Sequence, residues 1–188
     1  MEDEFFDTLR EKVLPYFEEG GSHDFSHTQR VYNMAILISE GDNVDMEIVR
    51  TAVLLHDVAR HKQDCGEINC HAEEGAKMAE KILKETDFPK DKIKEVVYAI
   101  SVHRHSADVK SETREADILQ DADRLDALGA IIIARMFATG GKVGNPLYDP
   151  KVPLGEKGKG GYSKTIINGF YDKLLKIKPE TFKTKKAR

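Results

Sequence analysis

Along most of this chain, apolar residues recur at intervals of three and four, the period of an α-helix that buries one side. Phe5, Phe6, Leu9, Val13 and Phe17 predict a first helix over residues 3–19, ended by Gly20-Gly21. Ser22-His23-Asp24-Phe25-Ser26 offers good N-cap residues, and a second helix follows from about His27 to Glu40 with Val31, Met34, Ala35 and Ile38 inward. Gly41-Asp42-Asn43 breaks the chain. The third helix carries Met46, Val49, Val53 and His56 on one stripe and Ile48, Ala52 and Leu55 beside it. A helix apolar over most of its surface belongs at the centre of its bundle. Residues 61–70 read as a polar loop, and a fourth helix over about 70–85 has His71, Gly75, Met78 and Ile82 in register. Pro89 is placed to start a fifth, with Ile93, Val96, Val97, Ile100 and His103 on its face. After the charged residues 104–114, a sixth helix is predicted over about 115–138. Seven of the fourteen glycines then fall within residues 140–161, with Pro146, Pro150 and Pro153, which predicts a long loop. A last helix is predicted over about 163–177. No stretch reads as a strand, so the class is all-α, a bundle of about six to eight helices. Residues 1–188 read as one domain, with its core at about 22–135 and the glycine-rich loop and last helix as an extension.

Composition narrows the function. The chain is long enough to bury a sizeable core, and 40% hydrophobic with 33% charged residues is an ordinary soluble balance. A net charge of −4 argues against binding a nucleic acid duplex, which favours a basic excess. A small phosphorylated substrate needs only a local basic patch. Cys65 and Cys70 are too few for a disulfide framework, and their spacing is not that of a common zinc site. They read as free thiols in a reducing cytoplasm. No apolar run is long enough to span a bilayer, and Met1-Glu2-Asp3-Glu4 is the opposite of a signal peptide's basic start.

Candidate chemistry centres on His56-Asp57, an imidazole and a carboxylate inside the apolar run from Val53 to Ala59. A buried carboxylate is unfavourable by several kcal/mol or more unless it is paired or metal-bound, and a divalent cation accepts both groups. A buried His-Asp hydrogen bond at a helix end is the plainer alternative. His27, His56, His71 and His103 each lie on the apolar stripe of a different helix. One such histidine is usually an ordinary core residue. Four on four helices match the way bundles build metal sites from inward-facing side chains.

The order of these residues resembles the HD superfamily of metal-dependent phosphohydrolases. The matching residues are His27 in Ser26-His27-Thr28-Gln29-Arg30-Val31, the doublet His56-Asp57, and Asp123 in Ala122-Asp123-Arg124-Leu125. The chain is most similar to the small stand-alone HD hydrolases of bacteria and archaea, in which Asp121-Ala122-Asp123-Arg124-Leu125-Asp126-Ala127 and Phe170-Tyr171-Asp172-Lys173-Leu174-Leu175 also have counterparts. The resemblance implies an HD-domain bundle with metal ligands at His27, His56, Asp57 and Asp123, and places His71 and His103 where two-metal members hold a second ion. It implies one or two divalent ions: manganese, iron, nickel, cobalt, zinc or magnesium. The implied reaction cleaves a phosphate ester or anhydride of a nucleotide-like substrate, using hydroxide from a water acidified by the metal. Asp57, His71 and Arg124 are then catalytic, and Arg30, Arg60, Arg124 and His103 contact substrate. The leaving-group acid lies open between His71 and His105. Periodicity does not choose between Asp121 and Asp123, which face roughly opposite sides of a helix. The family's Ala-Asp-x-Leu setting favours Asp123. The Gly-Tyr-Pro element of cyclic dinucleotide phosphodiesterases is absent after His103-Arg104-His105. The second catalytic domain of the stringent-response enzymes is also missing, and the chain is short for the large deoxynucleoside triphosphatases. The loop at 140–161, with Lys142, Lys151, Lys157 and Lys159, could serve as a lid. The alternative is a module that keeps the metal and senses a phosphorylated metabolite without turnover. Oligomeric state is not set by the sequence.

Overall fold

A computed structural model describes residues 3–17, 24–104, 110–158 and 161–188. The predicted terminators Gly20-Gly21, the cap candidates Ser22 and His23, the acid candidate His105 and the loop residue Lys159 lie outside them. The class is all-α, and among the described residues extended pairing is confined to one bridge between Lys157 and Ser163. The helices are α1 (Asp3–Val13), α2 (Phe25–Ser39), α3 (Met46–Leu55), α4 (Arg60–Asp64), α5 (His71–Lys84), α6 (Ile93–Val102), α7 (Arg114–Leu125), α8 (Gly129–Val143) and α9 (Ile166–Asp172). No helix of the described residues is long and apolar enough to cross a membrane.

The central position predicted for the third helix holds. Ile48, Val49, Ala52, Val53, Leu54 and Leu55 are buried, and α3 packs against α1, α2, α5, α6 and α7. Side chains set several starts: Asp24 accepts from Ser26 N–H, Asp45 from Glu47 and Ile48, Thr113 from Ala116, and Thr165 from Asn168. Each satisfies a backbone donor that a helix start leaves without a partner.

Several predicted boundaries move, each for a local reason. The first helix stops at Val13 and tightens into a 3₁₀ turn, Leu14–Tyr16, because Pro15 lacks an N–H and disfavours helical backbone at Leu14. The loop at 61–70 contains the short helix α4. The predicted sixth helix is two helices. Leu128 is extended (φ −125°, ψ 168°) and Gly129 takes φ 70°, a left-handed value that glycine alone adopts freely, so α8 leaves in a new direction. The glycine-rich loop begins later than predicted, because Gly140 and Gly141 lie in α8 and left-handed Gly144 closes it. The last helix is shorter, Ile166–Asp172, followed by a 3₁₀ turn at Leu174–Lys176.

Glycine at 140 is a packing requirement. A Cβ there would lie 2.2 Å from Ile166 Cδ1, and one at Gly169 would lie 2.4 Å from Met136 Cε. These two contacts let α8 and α9 approach closely. Gly140→Ala is therefore expected to destabilise the protein by about 1–3 kcal/mol despite alanine's better helix propensity. Urea unfolding of the two proteins reads this directly, and an unchanged midpoint would show that Ile166 yields freely.

The loop is fastened to α9. Ile166 and Ile167 N–H donate to Pro146 and Leu147 carbonyls at 3.0 Å each, and Asn168 Nδ2 donates to Val152 and Pro153 carbonyls at 3.2 and 3.1 Å. At the other end, the C-terminal segment is latched to α7. Asp121, fully buried, accepts N–H bonds from Lys183 at 2.9 Å and Thr184 at 2.6 Å.

Candidate metal centre

Five helices deliver polar side chains to one buried point. His27 comes from the first turns of α2, His56 and Asp57 from the end of α3, His71 from the start of α5, His103 from the end of α6, and Asp123 from α7. All but Asp123 are at most 4% exposed. Asp123, with its side chain 29% exposed, stands at the open side.

Each imidazole is held from behind. His56 Nδ1 meets the Val53 carbonyl at 2.7 Å, His103 Nδ1 the Ile100 carbonyl at 2.6 Å, and His71 Nδ1 the Gln63 Oε1 at 2.5 Å. His27 Nδ1 meets Asp126 Oδ2 at 2.8 Å. A carbonyl oxygen only accepts, so each Nδ1 carries the hydrogen and each Nε2 turns inward. His56 Nε2 is buried with no hydrogen-bond partner. His71 and His103 face each other Nε2 to Nε2 at 3.2 Å. Burial, opposed by Asp57 but reinforced by neighbouring cationic groups, pushes His71 down to about 3, and burial and His56 hold His103 below the ordinary range. Both are neutral at physiological pH, so two lone pairs point at one another with no proton between them.

Asp57 sits among these nitrogens. Its Oδ2 is 3.7 Å from both His27 and His56 Nε2, and its Oδ1 is 3.4 Å from His71 and 3.9 Å from His103 Nε2. Two groups, His27-His56-Asp57 and Asp57-His71-His103, each bring their ligand atoms within 4.8 Å of one another. Asp123 Oδ1 adds a contact of 3.3 Å to His27 Nε2. Bare imidazole nitrogens around a carboxylate fit a divalent cation, and the orphaned His56 Nε2 and the opposed His71-His103 pair fit little else.

His27 differs from the other three. Burial opposes its charge, but hydrogen bonds to Asp123 and Asp126 and the nearby Asp57 outweigh it and push it up to about 9. In the metal-free protein His27 is therefore protonated at pH 7, and a metal taking its Nε2 displaces that proton. Apparent metal affinity is expected to rise by up to about tenfold per pH unit below pH ~9 and to flatten above it. Calorimetry at pH 7 in buffers of different ionisation enthalpy should detect roughly one proton released per metal. Release of none would place the cation away from His27.

Asp126 organises this corner and was not singled out by the sequence reading. It is fully buried and accepts from Arg30 Nε at 2.6 Å, Arg30 Nη2 at 3.1 Å and Arg135 Nη1 at 2.6 Å. Despite burial, His27 and Arg30 hold its carboxyl down to about 2. Arg30, expected to contact substrate, is directed to Asp126 and Ser26 Oγ. Arg124, expected to be catalytic and to contact substrate, is placed by the C-terminal segment. Its guanidinium donates to the Thr181 carbonyl at 2.7 Å and to Thr181 Oγ1, and lies over the Phe182 ring, so it docks the C-terminal segment rather than lining the cluster.

Arg60 does lie near the cluster, within the field of Asp57 and beside Tyr162, and bonds Asp64 at 3.2 Å. Lys173 joins it. Desolvation, with Arg60, Arg135 and Arg104 outweighing the pull of Asp123, holds Lys173 below the ordinary lysine range. Arg60, Lys173 and Arg135 thus place positive charge at the rim of the histidine-carboxylate cluster, in the field of Asp57 and Asp123. Two signals for the missed residues were present. Asp126 lies one helical turn after Asp123, and Arg135 is the one charged residue in the apolar run from Gly129 to Gly141.

Comparisons with known proteins agree with this geometry. The HD domain profile matches residues 24–128. The uncharacterized protein YpgQ of Bacillus subtilis is 30% identical over 163 residues, covering 86% of this chain and 72% of that protein. The crystal structure of an HD-superfamily hydrolase from Bacillus thuringiensis is 35% identical, covers 98% of this chain and 86% of its own, and superposes with a TM-score of 0.71. B. subtilis YpgQ crystallised in complex with ADP is 27% identical, covers 98% and 84%, and gives a TM-score of 0.72.

Proposed function

This chain belongs to the HD domain family, and on that footing we propose that it is a metal-dependent phosphohydrolase cleaving a phosphate ester or anhydride bond of a nucleotide-like substrate. The observation that carries the reading is the set of inward Nε2 atoms around Asp57, bounded by a cationic rim. The inner group suits a cation and the outer one suits the anionic oxygens of a phosphorylated ligand. The ADP complex of YpgQ supports a nucleotide as that ligand.

When bound, a divalent cation supplies Lewis acidity toward a phosphoryl oxygen and activates a water. His56, His71 and His103 hold their Nε2 atoms through Nδ1–H bonds to fixed acceptors. Asp57 offers one oxygen to each half of the cluster, and Asp123 offers a further carboxylate at the mouth. Arg60 and Lys173 orient phosphoryl oxygens from the rim. His71, held down to about 3, has no proton to give a leaving group at neutral pH, so the ligand role fits it better than the acid role.

The test is release of phosphate or pyrophosphate from nucleoside mono-, di- and triphosphates, with Mn²⁺, Co²⁺, Ni²⁺ or Mg²⁺ added to the metal-stripped protein. Metal-dependent release that disappears in His56→Ala is expected. A fully metal-loaded protein that releases nothing from any member of the panel would leave binding without turnover as the better account.

A further inference from the structure

One imidazole of the metal centre is held by a side-chain amide. Gln63 is half-buried on α4, and its Oε1 accepts two hydrogen bonds from a single residue, the His71 backbone N–H at 2.9 Å and the His71 ring Nδ1 at 2.5 Å. A backbone N–H can only donate, so the oxygen of the amide, and not its nitrogen, faces His71. The same oxygen then requires a hydrogen on Nδ1. That leaves Nε2 bare, 3.4 Å from Asp57 Oδ1 and 3.2 Å from His103 Nε2. The bond to the backbone also replaces a missing cap, because Cys70, at the N-cap of α5, makes no side-chain bond to the helix start. Gln63 is itself seated by main chain, its N–H on the Ala59 carbonyl at 3.4 Å and its carbonyl accepting from Gly66 N–H at 2.9 Å. One turn after His71, Gly75 lets α5 lie close to the end of α3, since a Cβ there would stand 3.3 Å from the His56 carbonyl oxygen. Gly75 thus sets how near the helix comes, and Gln63 sets how the His71 ring is turned.

We propose that Gln63 is a positioning residue for the Asp57-His71-His103 half of the centre, and that its neutral amide makes this half the weaker and second-filled of the two. The inference rests on the metal reading of the cluster. The charges behind the two halves differ. His27 is backed by Asp126, and Asp123 Oδ1 stands 3.3 Å from its Nε2, so the His27-His56-Asp57 group draws on Asp57, Asp123 and Asp126. His71 is backed by an amide and His103 by the Ile100 carbonyl, so among the described residues their half has the Asp57 carboxylate alone. Arg60, three residues before Gln63 on α4, adds positive charge in the field of His71. This half therefore attracts a divalent cation less strongly, and its hold depends on the bare Nε2 that the Gln63 oxygen secures. Gln63→Glu would keep both acceptor bonds and add the missing charge.

Two measurements on the full chain test this. In the metal-free protein, imidazole ¹⁵N spectra at neutral pH should show the His71 hydrogen on Nδ1, and in Gln63→Met they should show Nε2–H or a mixture of tautomers. Titration with Co²⁺, followed by calorimetry and by the visible absorption of the bound ion, should show two steps in the parent. Gln63→Met is expected to weaken the second step about 10–100-fold and to leave the first unchanged. Gln63→Glu is expected to keep Nδ1–H and to tighten the second step about tenfold. Adding Cys70→Ser to Gln63→Met gives α5 a side-chain cap again without a ring acceptor, and the second step should stay weak, which separates positioning from capping. If Gln63→Met fails to fold, Gln63→Glu carries the test. Equal weakening of both steps, a second step restored by Cys70→Ser, or a second step unmoved by either substitution overturns the proposal. So does a parent that binds a single ion at every Co²⁺ concentration. A parent with Nδ1–H that takes up no Co²⁺ overturns the metal centre and the proposal with it, whereas Nε2–H in a parent that does bind Co²⁺ overturns the role of Gln63 alone.

Discussion

Asp57→Ala is expected to empty the whole cluster of metal and reduce phosphate release to background. Among the described residues, Asp57 is the one common to both ligand groups. One carboxylate oxygen is 3.7 Å from His27 and His56, and the other is 3.4 Å from His71 and 3.9 Å from His103. Removing it leaves two pairs of imidazoles with no carboxylate between them and takes away the anion that offsets the cation's charge. His71→Ala removes one donor from one half and is expected to keep metal at the His27-His56-Asp57 group. Metal stoichiometry by mass spectrometry separates the two variants. Helical circular dichroism should persist in both. Retention of full metal by Asp57→Ala would overturn the shared-carboxylate arrangement, and with it the metal centre described above.

The second large effect is expected from Asp126→Asn, a substitution that keeps shape and removes charge. An amide at this point can offer its N–H₂ to His27 Nδ1, moving the imidazole hydrogen to Nε2 and masking the atom that faces the cluster. Loss of an orienting carboxylate behind a ligand histidine typically weakens metal binding about 10–100-fold. The same substitution removes the charge from the buried end of the Arg135–Asp126 pair, and breaking a buried pair destabilises by about 3 kcal/mol or more. Both losses should appear together, in metal titration and in urea unfolding. Asp121→Ala is the control. It also removes a buried carboxylate from α7, but that one holds Lys183 and Thr184 N–H, so stability should fall while metal content stays. Asp123→Ala should do the reverse. Loss of metal in Asp121→Ala alone would exchange the roles of the two aspartates.

These outcomes bear on what the chain revealed before its fold was seen. The all-α class, the central third helix and the convergence of His27, His56, His71 and His103 followed from a strong 3.6-residue periodicity, because a polar residue on a buried stripe stands out. The boundaries that moved depended on weaker or non-local signals. The break between α7 and α8 rests on extended backbone at Leu128 and a left-handed Gly129, and the sequence pattern around them continues helical. Gly140 looked like a loop glycine because the close approach of Ile166 is tertiary. The docking of Arg124 on Thr181 was not legible because that partner lies 57 residues on, and sequence order cannot show that the C-terminal segment returns to α7. Asp126 and Arg135 were missed for a related reason. Their purpose is visible only when α8 folds back to place a guanidinium 2.6 Å from a carboxylate that itself backs His27.

The reach of the cluster along the chain has a consequence for the lifetime of the folded state. Its residues span 27 to 123 and come from five helices, so they can meet only after those helices have packed. Contacts at such separation generally form late in folding. Interactions absent from the transition state alter the unfolding rate and leave the folding rate nearly unchanged. A cation joining the five helices should therefore act as a brake on opening. Stopped-flow refolding would be similar with metal or chelator, whereas unfolding, and with it cleavage by a protease that attacks the opened chain, would slow markedly in the loaded protein. In a cell, metal supply would then set how long each molecule persists as well as whether its site is filled.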